Sequence, residues 1–411
     1  MKSTAHTDVR SLLGRYFSQE DVQDLLTRVR GADRFERTQL NGDVKVSGSV
    51  SLAECEALDQ CITHCQEHLS GAEFHQFILS LGEILQKHGN TTGAIELFGM
   101  VIRLCTDERH ETDMAEAFLR RANAHCIQSN WGQATEDLRV AKTVFIRRRD
   151  HESAGRVENS LGTIESELGK LAQAVASFER ALASFEAAGN PGLTGTALMN
   201  LGMANNIAGS YDVALTHYNR AQSYFERVGD ARRLSELHHN MGMTYLHKGE
   251  YKSASREFDR SLSLGAQEHN LNLLGLASLG KANVYYHLRD LPMALKLVNK
   301  ALEPFSTVGD RLSVADSYKV KGMIHRDMKK YNFAESYLQT SLRMNLELRN
   351  HLNTGETYFE IGLLEQQRGN APQATAAFEQ AHKHFTKIGA RGEAGRVESA
   401  LHELRSKQNA I

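Results

Sequence analysis

Two near-identical tripeptides, Asn200-Leu201-Gly202 and Asn240-Met241-Gly242, stand 40 residues apart. An asparagine side chain carries a hydrogen-bond donor and an acceptor without a charge, so its chemistry is recognition of other polar groups. The residues suited to harder chemistry are arranged less purposefully. Cys61, Cys65 and His68 could share a helix face and hold a metal. However, Leu58, Cys61, Ile62, Cys65 and Leu69 form one apolar stripe, in which cysteine packs as a small hydrophobe. No second ligand pair accompanies them, so neither a metal nor a cofactor is expected. Arg147-Arg148-Arg149 falls where a helix should end, and cations there offset the helix dipole. His325-Arg326-Asp327 has the letters of a kinase tripeptide but lacks the glycine loop and lysine strand that a kinase needs. The chain has no phosphate-binding loop, dinucleotide fingerprint or His-Glu-x-x-His motif, and a non-enzymatic protein is expected.

The elements that must position these residues repeat. Alanine recurs every 40 residues, at Ala94, Ala134, Ala174, Ala214, Ala254, Ala294, Ala334 and Ala374. Twelve residues before each lies glycine or alanine, as at Gly82, Ala122, Gly162 and Gly202, and four residues after each lies an apolar one, as at Phe98, Leu138, Phe178 and Tyr218. Between residues 193 and 229 apolar residues recur at helical spacing, break at Gly209-Ser210, and resume from Tyr211 to Gly229-Asp230. Glycine there supplies a left-handed helix end, as Gly189, Gly309 and Gly389 should elsewhere, and Asp230 caps the next helix. Each unit is therefore a helical hairpin, with small residues where its two helices cross. One hairpin cannot bury its apolar face, so the hairpins must stack.

This pattern resembles the tetratricopeptide repeat family over roughly residues 72 to 390, with the small residue of the first helix, Ala-x3-aromatic in the second, and a further alanine at 141, 181, 221, 301 and 381. The unit is 40 residues instead of the usual 34 or so. Lengthened units are similar to those of Pins/LGN-type scaffolds, kinesin light chains and bacterial Rap-type peptide receptors. The resemblance implies an all-α, right-handed superhelical solenoid. Its expected parts are an N-terminal helical segment and linker (1–48), a capping helix (49–70), eight hairpins (71–390) and a C-terminal cap and tail (391–411). It also implies that first helices line a concave groove for an extended peptide. The position two before the small residue would face that groove, which gives Asn200 and Asn240, with Asn123 and Asn283 one residue after the small position and Asn159 nearby. His239, His247, Tyr286, His287 and Arg326 could add selectivity. The same position holds Ser80, Arg120, Ser160, Gly280, Val320 and Glu360 in the other repeats, so the groove is expected to centre on repeats three to six.

The ends and the composition complete the expectation. Residues 394–401 nearly repeat 154–161, and His402 then occupies a small-residue position, which is tolerable only if no second helix crosses it. Near the start, Val9–Phe17 and Asp21–Val29 read as short helices with Ser18 as an N-cap, followed by a turn-rich linker at 41–48. That segment could dock or mediate self-association. Only 4 prolines occur in 411 residues, which suits long helices. A net charge of -2 gives no reason to expect nucleic acid or an anionic membrane. No apolar run approaches about 18 residues, and no signal-peptide core follows Met1, so a cytoplasmic location without membrane insertion is expected. The function expected is a scaffold or adaptor binding a peptide segment of a partner. The alternative is a Rap-like regulator whose N-terminal segment acts on an output protein.

Overall fold

A computed structural model of the protein describes residues 2–32, 52–105, 107–388 and 390–409. The linker expected at 41–48 and the closing glycine expected at 389 lie outside the described residues. Among the described residues there are twenty α-helices, one 3-10 turn (Glu108–His110) and no strand. The chain divides into two compact units, one of residues 1–168 and 172–190, the other of 191–411 with 169–171.

The first unit holds α1 (Lys2–Leu13), α2 (Gln19–Ala32), α3 (Leu52–His68) and the pairs α4/α5 (Gly71–Lys87, Thr91–Leu104), α6/α7 (Glu111–Ile127, Trp131–Arg148) and α8/α9 (His151–Glu167, Leu171–Ala187). The first two helices differ from expectation, because α1 stops before Gly14 and residues 15–17 form a turn instead of a last helical turn. That turn puts Tyr16 and Phe17 against the unit's core, with Tyr16 edge-on to the Phe77 ring. Ser18 does cap α2, accepting the Asp21 N–H at 3.2 Å. Asp8 ties α1 to α4 by accepting from Lys87 at 2.8 Å and His88 at 3.1 Å. Cys61 and Cys65 are buried in the same core, and burial pushes their thiols up to about 11 and about 12. The cysteine stripe of α3 is packing.

The second unit holds five pairs: α10/α11 (Pro191–Ile207, Tyr211–Val228), α12/α13 (Ala231–His247, Tyr251–Gln267), α14/α15 (Leu271–His287, Leu291–Val308), α16/α17 (Arg311–Asp327, Tyr331–Glu347) and α18/α19 (His351–Arg368, Ala371–Lys387). A final helix, α20 (Arg391–Asn409), packs on α19. His402 on α20 is exposed.

Five of the eight hairpins are locked by an aromatic ring against a glycine, at Gly82, Gly162, Gly202, Gly242 and Gly362. A Cβ on Gly162 would lie 2.7 Å from the Phe178 ring, and one on Gly242 2.7 Å from the Phe258 ring. The crossing is therefore set by the residue four after each lattice alanine: beneath a ring the first helix carries glycine, and beneath the smaller Leu138 and Val298 it carries Ala122 and Ala282. A second contact, 30 residues long, works the same way near the other end of the hairpin. Gly155, Gly195, Gly275 and Gly355 lie under Phe185, Phe225, Phe305 and Phe385. The Phe258 ring also reaches forward to Gly280 in the next hairpin, so one side chain packs within its repeat and between repeats.

Helix ends follow a 20-residue rhythm. Gly189, Gly229 and Gly309 take positive φ as expected, but Ser129, Arg149, His269, Arg289, Lys329 and Arg349 do so without being glycine, at φ 50 to 63°. A side chain is strained there. His269→Gly should raise stability by about 0.5–1 kcal/mol, read as an upward shift of the urea midpoint at unchanged slope.

Candidate functional site

In the second unit the first helices of successive hairpins lie side by side and enclose a cavity of about 540 Å³. That volume falls in the range of small-ligand pockets, roughly 300–1,000 Å³. Its walls come from α12, α14, α16, α18 and α20, with Phe385 of α19. The apolar part is made by Leu276, Leu279, Val320, Met323 and Phe359. Gly280, Val320 and Glu360 all line it, and these are the residues at the expected groove position in repeats six to eight. Asn240, at the same position in repeat five, is not among the lining residues.

The polar part is a charge network. Lys319 donates to Asp316 at 3.2 Å and to Glu356, while Asn353 donates to Asp316 at 2.9 Å. Burial alone would lower the pKa of Lys319, but the Asp316 and Glu356 carboxylates outweigh it and hold it above the ordinary value. Burial holds the Asp316 carboxyl above the usual carboxylate range against the pull of Lys319. Arg396 lies over the Phe359 ring, 5.2 Å from its centroid.

The residues singled out from sequence separate into groups. His239 and Asn283 line the cavity. Tyr286 and Arg326 are buried and bonded to each other at 3.0 Å, and Arg326 also pairs with Asp327 at 3.0 Å and with Glu360. They brace the cavity wall from behind, so they are not open selectivity side chains as expected. Asn200 and Asn240 are half-buried on α10 and α12, but α12 reaches the cavity through His239 and Met243. Asn123 and Asn159 belong to the first unit, where Asn123 accepts from Ser160 at 2.9 Å. His247 contacts Asn206 at 3.4 Å, and His287 stacks on Tyr251 and reaches the cavity. The cavity is lined by the first helices of repeats five to eight, whereas the sequence-based expectation centres the groove on repeats three to six.

The other motifs are structural. His325 stacks on Tyr337, and Asp327 pairs with Arg289 at 2.6 Å. Arg147 and Arg148 both pair with Glu111.

His239 gives the site a pH signature. Its Nδ1 is buried without a partner, and burial pushes the imidazole down to about 4. The unfolded chain, with an ordinary histidine near about 6.5, takes up that proton first. Stability from this group is therefore present above pH ~6.5 and is lost as the pH falls towards about 4. His287 and His325 are lowered by burial too and act in the same direction. His239→Leu should flatten the acid limb of the stability curve by up to about 1.4 kcal/mol per pH unit, measured by urea unfolding at pH values across that window.

Comparison with known proteins places this geometry. The family model for the tetratricopeptide repeat matches residues 113–187, 193–266, 273–347 and 313–387. No curated protein matches in sequence. Among solved structures, the chain is similar to a Rap protein complexed with competence and sporulation factor (13% identity, 94% of this chain and 96% of that one, TM-score 0.55). It is also similar to the apo form of the quorum sensor NprR from B. thuringiensis (15%, 95% and 100%, TM-score 0.53). A third is aspartyl phosphate phosphatase F from Bacillus subtilis (13%, 85% and 93%, TM-score 0.57). At these identities the likeness is one of fold. None of the twenty helices, as far as they are described, is long and apolar enough to cross a membrane.

Proposed function

The chain belongs to the tetratricopeptide repeat family, and from that premise we propose that it is a non-catalytic scaffold which takes a peptide segment of a protein partner into the cavity of its second unit. The observation that carries this reading is the cavity wall itself. First helices of four consecutive repeats and α20 turn an apolar floor and a ring of paired charges towards one space. An extended peptide would place apolar side chains on Leu279, Val320 and Met323 and its polar backbone against Asn283 and the Lys319 network. The residues that touch the ligand would then be Asn283 and the apolar floor, with Arg326 and Tyr286 holding Glu360 in place.

Photo-crosslinking through a reactive methionine analogue at position 323 tests the proposal. Peptide adducts mapped by mass spectrometry are expected from the wild-type background and should disappear when Val320→Trp fills the cavity. Adducts that persist in the filled variant would place the contact elsewhere and defeat the reading.

A second reading, a peptide-responsive regulator, has one observation in its favour. The likeness to the Rap and NprR structures spans 94% and 95% of this chain, far beyond the cavity. Deleting residues 1–48 should then leave peptide capture intact and abolish the effect on an output protein. Loss of capture together with output would count against it.

A further inference from the structure

The repeat pattern breaks at four positions that meet at one point. In four other hairpins a glycine lies under a phenylalanine 30 residues later. In the first hairpin those two positions are His75 and Cys105. Five later first-helices begin at Asp150, Asp230, Asn270, Asp310 and Asn350, each of which caps its helix by accepting the N–H three residues on. The equivalent residue of α6 is His110, which makes no side-chain capping bond. Three residues later stands Asp113. A small residue, an aromatic plug and a cap have been given up together, each at a loss to stability.

What they were exchanged for is visible in the distances. His75 Nδ1 lies 3.1 Å from Asp113 Oδ2, and His110 Nδ1 lies 3.6 Å from the same oxygen. One ligand atom from each of these three residues falls within 4.8 Å of the other two. Cys105 Sγ is 3.6 Å from His75 Nδ1. Zinc bonds of about 2.0–2.1 Å to nitrogen or oxygen and about 2.3 Å to sulfur give tetrahedral edges of about 3.3 Å for N···O and about 3.6 Å for N···S. His75 is buried, and Gln76 holds the other Asp113 oxygen at 3.0 Å, the outer-shell support a ligating carboxylate needs.

We infer that His75, His110 and Asp113 form a site for a zinc-type transition-metal ion, and that Cys105, which contacts His75 but lies outside that three-residue group, shifts in to take the fourth position. Imidazole, carboxylate and thiolate suit zinc better than calcium or magnesium, which prefer all-oxygen shells. Cysteine ligates a metal as its thiolate, so the ion must displace the Cys105 thiol proton to solvent as the sulfur binds. Bound metal would join α4, the end of α5 and the start of α6, at the one junction between hairpins that carries a 3-10 turn among the described residues. It would serve there as a structural clasp.

The test uses tag-free full-length protein and zinc alone. One equivalent should be retained after dialysis and should raise the Tm. With cobalt as the probe, the spectrum should show intense four-coordinate bands and a thiolate charge-transfer band that Cys105→Ser removes. His110→Asn is the decisive variant, because it restores the cap used by the other repeats. It should fold with a metal-free Tm at or above that of the wild type, yet bind zinc at least about 100-fold more weakly. Equal zinc affinity in wild type and His110→Asn would overturn the site. So would the absence of a stoichiometric zinc-induced rise in Tm. A cobalt spectrum without the thiolate band would overturn the role of Cys105.

Discussion

Glu360→Leu should destabilise the second unit by about 2–3 kcal/mol, because it leaves the buried Arg326 guanidinium with Asp327 as its remaining ion partner. Arg326 is 5% exposed and pairs with Glu360 and Asp327, with the Tyr286 hydroxyl accepting a further bond. Burial would favour losing its charge, but Glu360 and its other neighbours outweigh that and hold the charged form. Removing one partner leaves an ion that is costly to bury, whereas removing both leaves an apolar space. The double variant Arg326→Met, Glu360→Leu should therefore recover most of the loss. Far-UV circular dichroism during urea unfolding reads this in the second unit. The lone Trp131 lies in the first unit and should report no change. Peptide capture should weaken in the single variant, since Glu360 forms part of the cavity wall.

Gly162→Ala should cost the first unit about 2–3 kcal/mol, despite adding only a methyl group. The new Cβ would meet the Phe178 ring at 2.7 Å inside a closed hairpin. The preceding repeat contains the remedy. It has Ala122 where Gly162 stands, and Leu138 where Phe178 stands, both fully buried. Phe178→Leu should cost about 1–2 kcal/mol alone, and the double variant at least about 1 kcal/mol less than the sum. Trp131 packs in the same unit's core, so its fluorescence follows the transition. Additive losses would mean that the ring and the glycine do not act as a pair.

Why the sequence revealed some of this and not the rest is a matter of periodicity. The lattice alanines, the glycine or alanine twelve residues before each and the apolar residue four beyond are local signals repeated eight times, and they indicate helices, hairpins and register. The asparagines at 200 and 240 carried the same register, and Gly280, Val320 and Glu360 do line the cavity at that position. Of the asparagines named from sequence, Asn283 lines this cavity and Asn200 and Asn240 do not. Which first helices border a cavity depends on how whole hairpins pack, as where the Phe258 ring seats on Gly280, and no single residue type signals that. Arg326 illustrates the same problem. Its partner Glu360 lies in the next repeat, 34 residues away, and nothing local says that the two will neutralise each other. The α1 boundary failed because Tyr16 and Phe17 continue a helical apolar pattern, while packing against α4 rewards a turn after Gly14 instead.

The Phe258 ring, shared between Gly242 and Gly280, has a consequence for how the second unit comes apart. A hairpin that opened alone would withdraw the ring from its neighbour as well, so melting should spread between adjacent hairpins instead of stopping at one. In a linear array that makes cooperativity a nearest-neighbour property. Amide hydrogens around α13 and α14 should then exchange as a single block. The same coupling offers a peptide seated against Gly280 a mechanical handle on both hairpins at once.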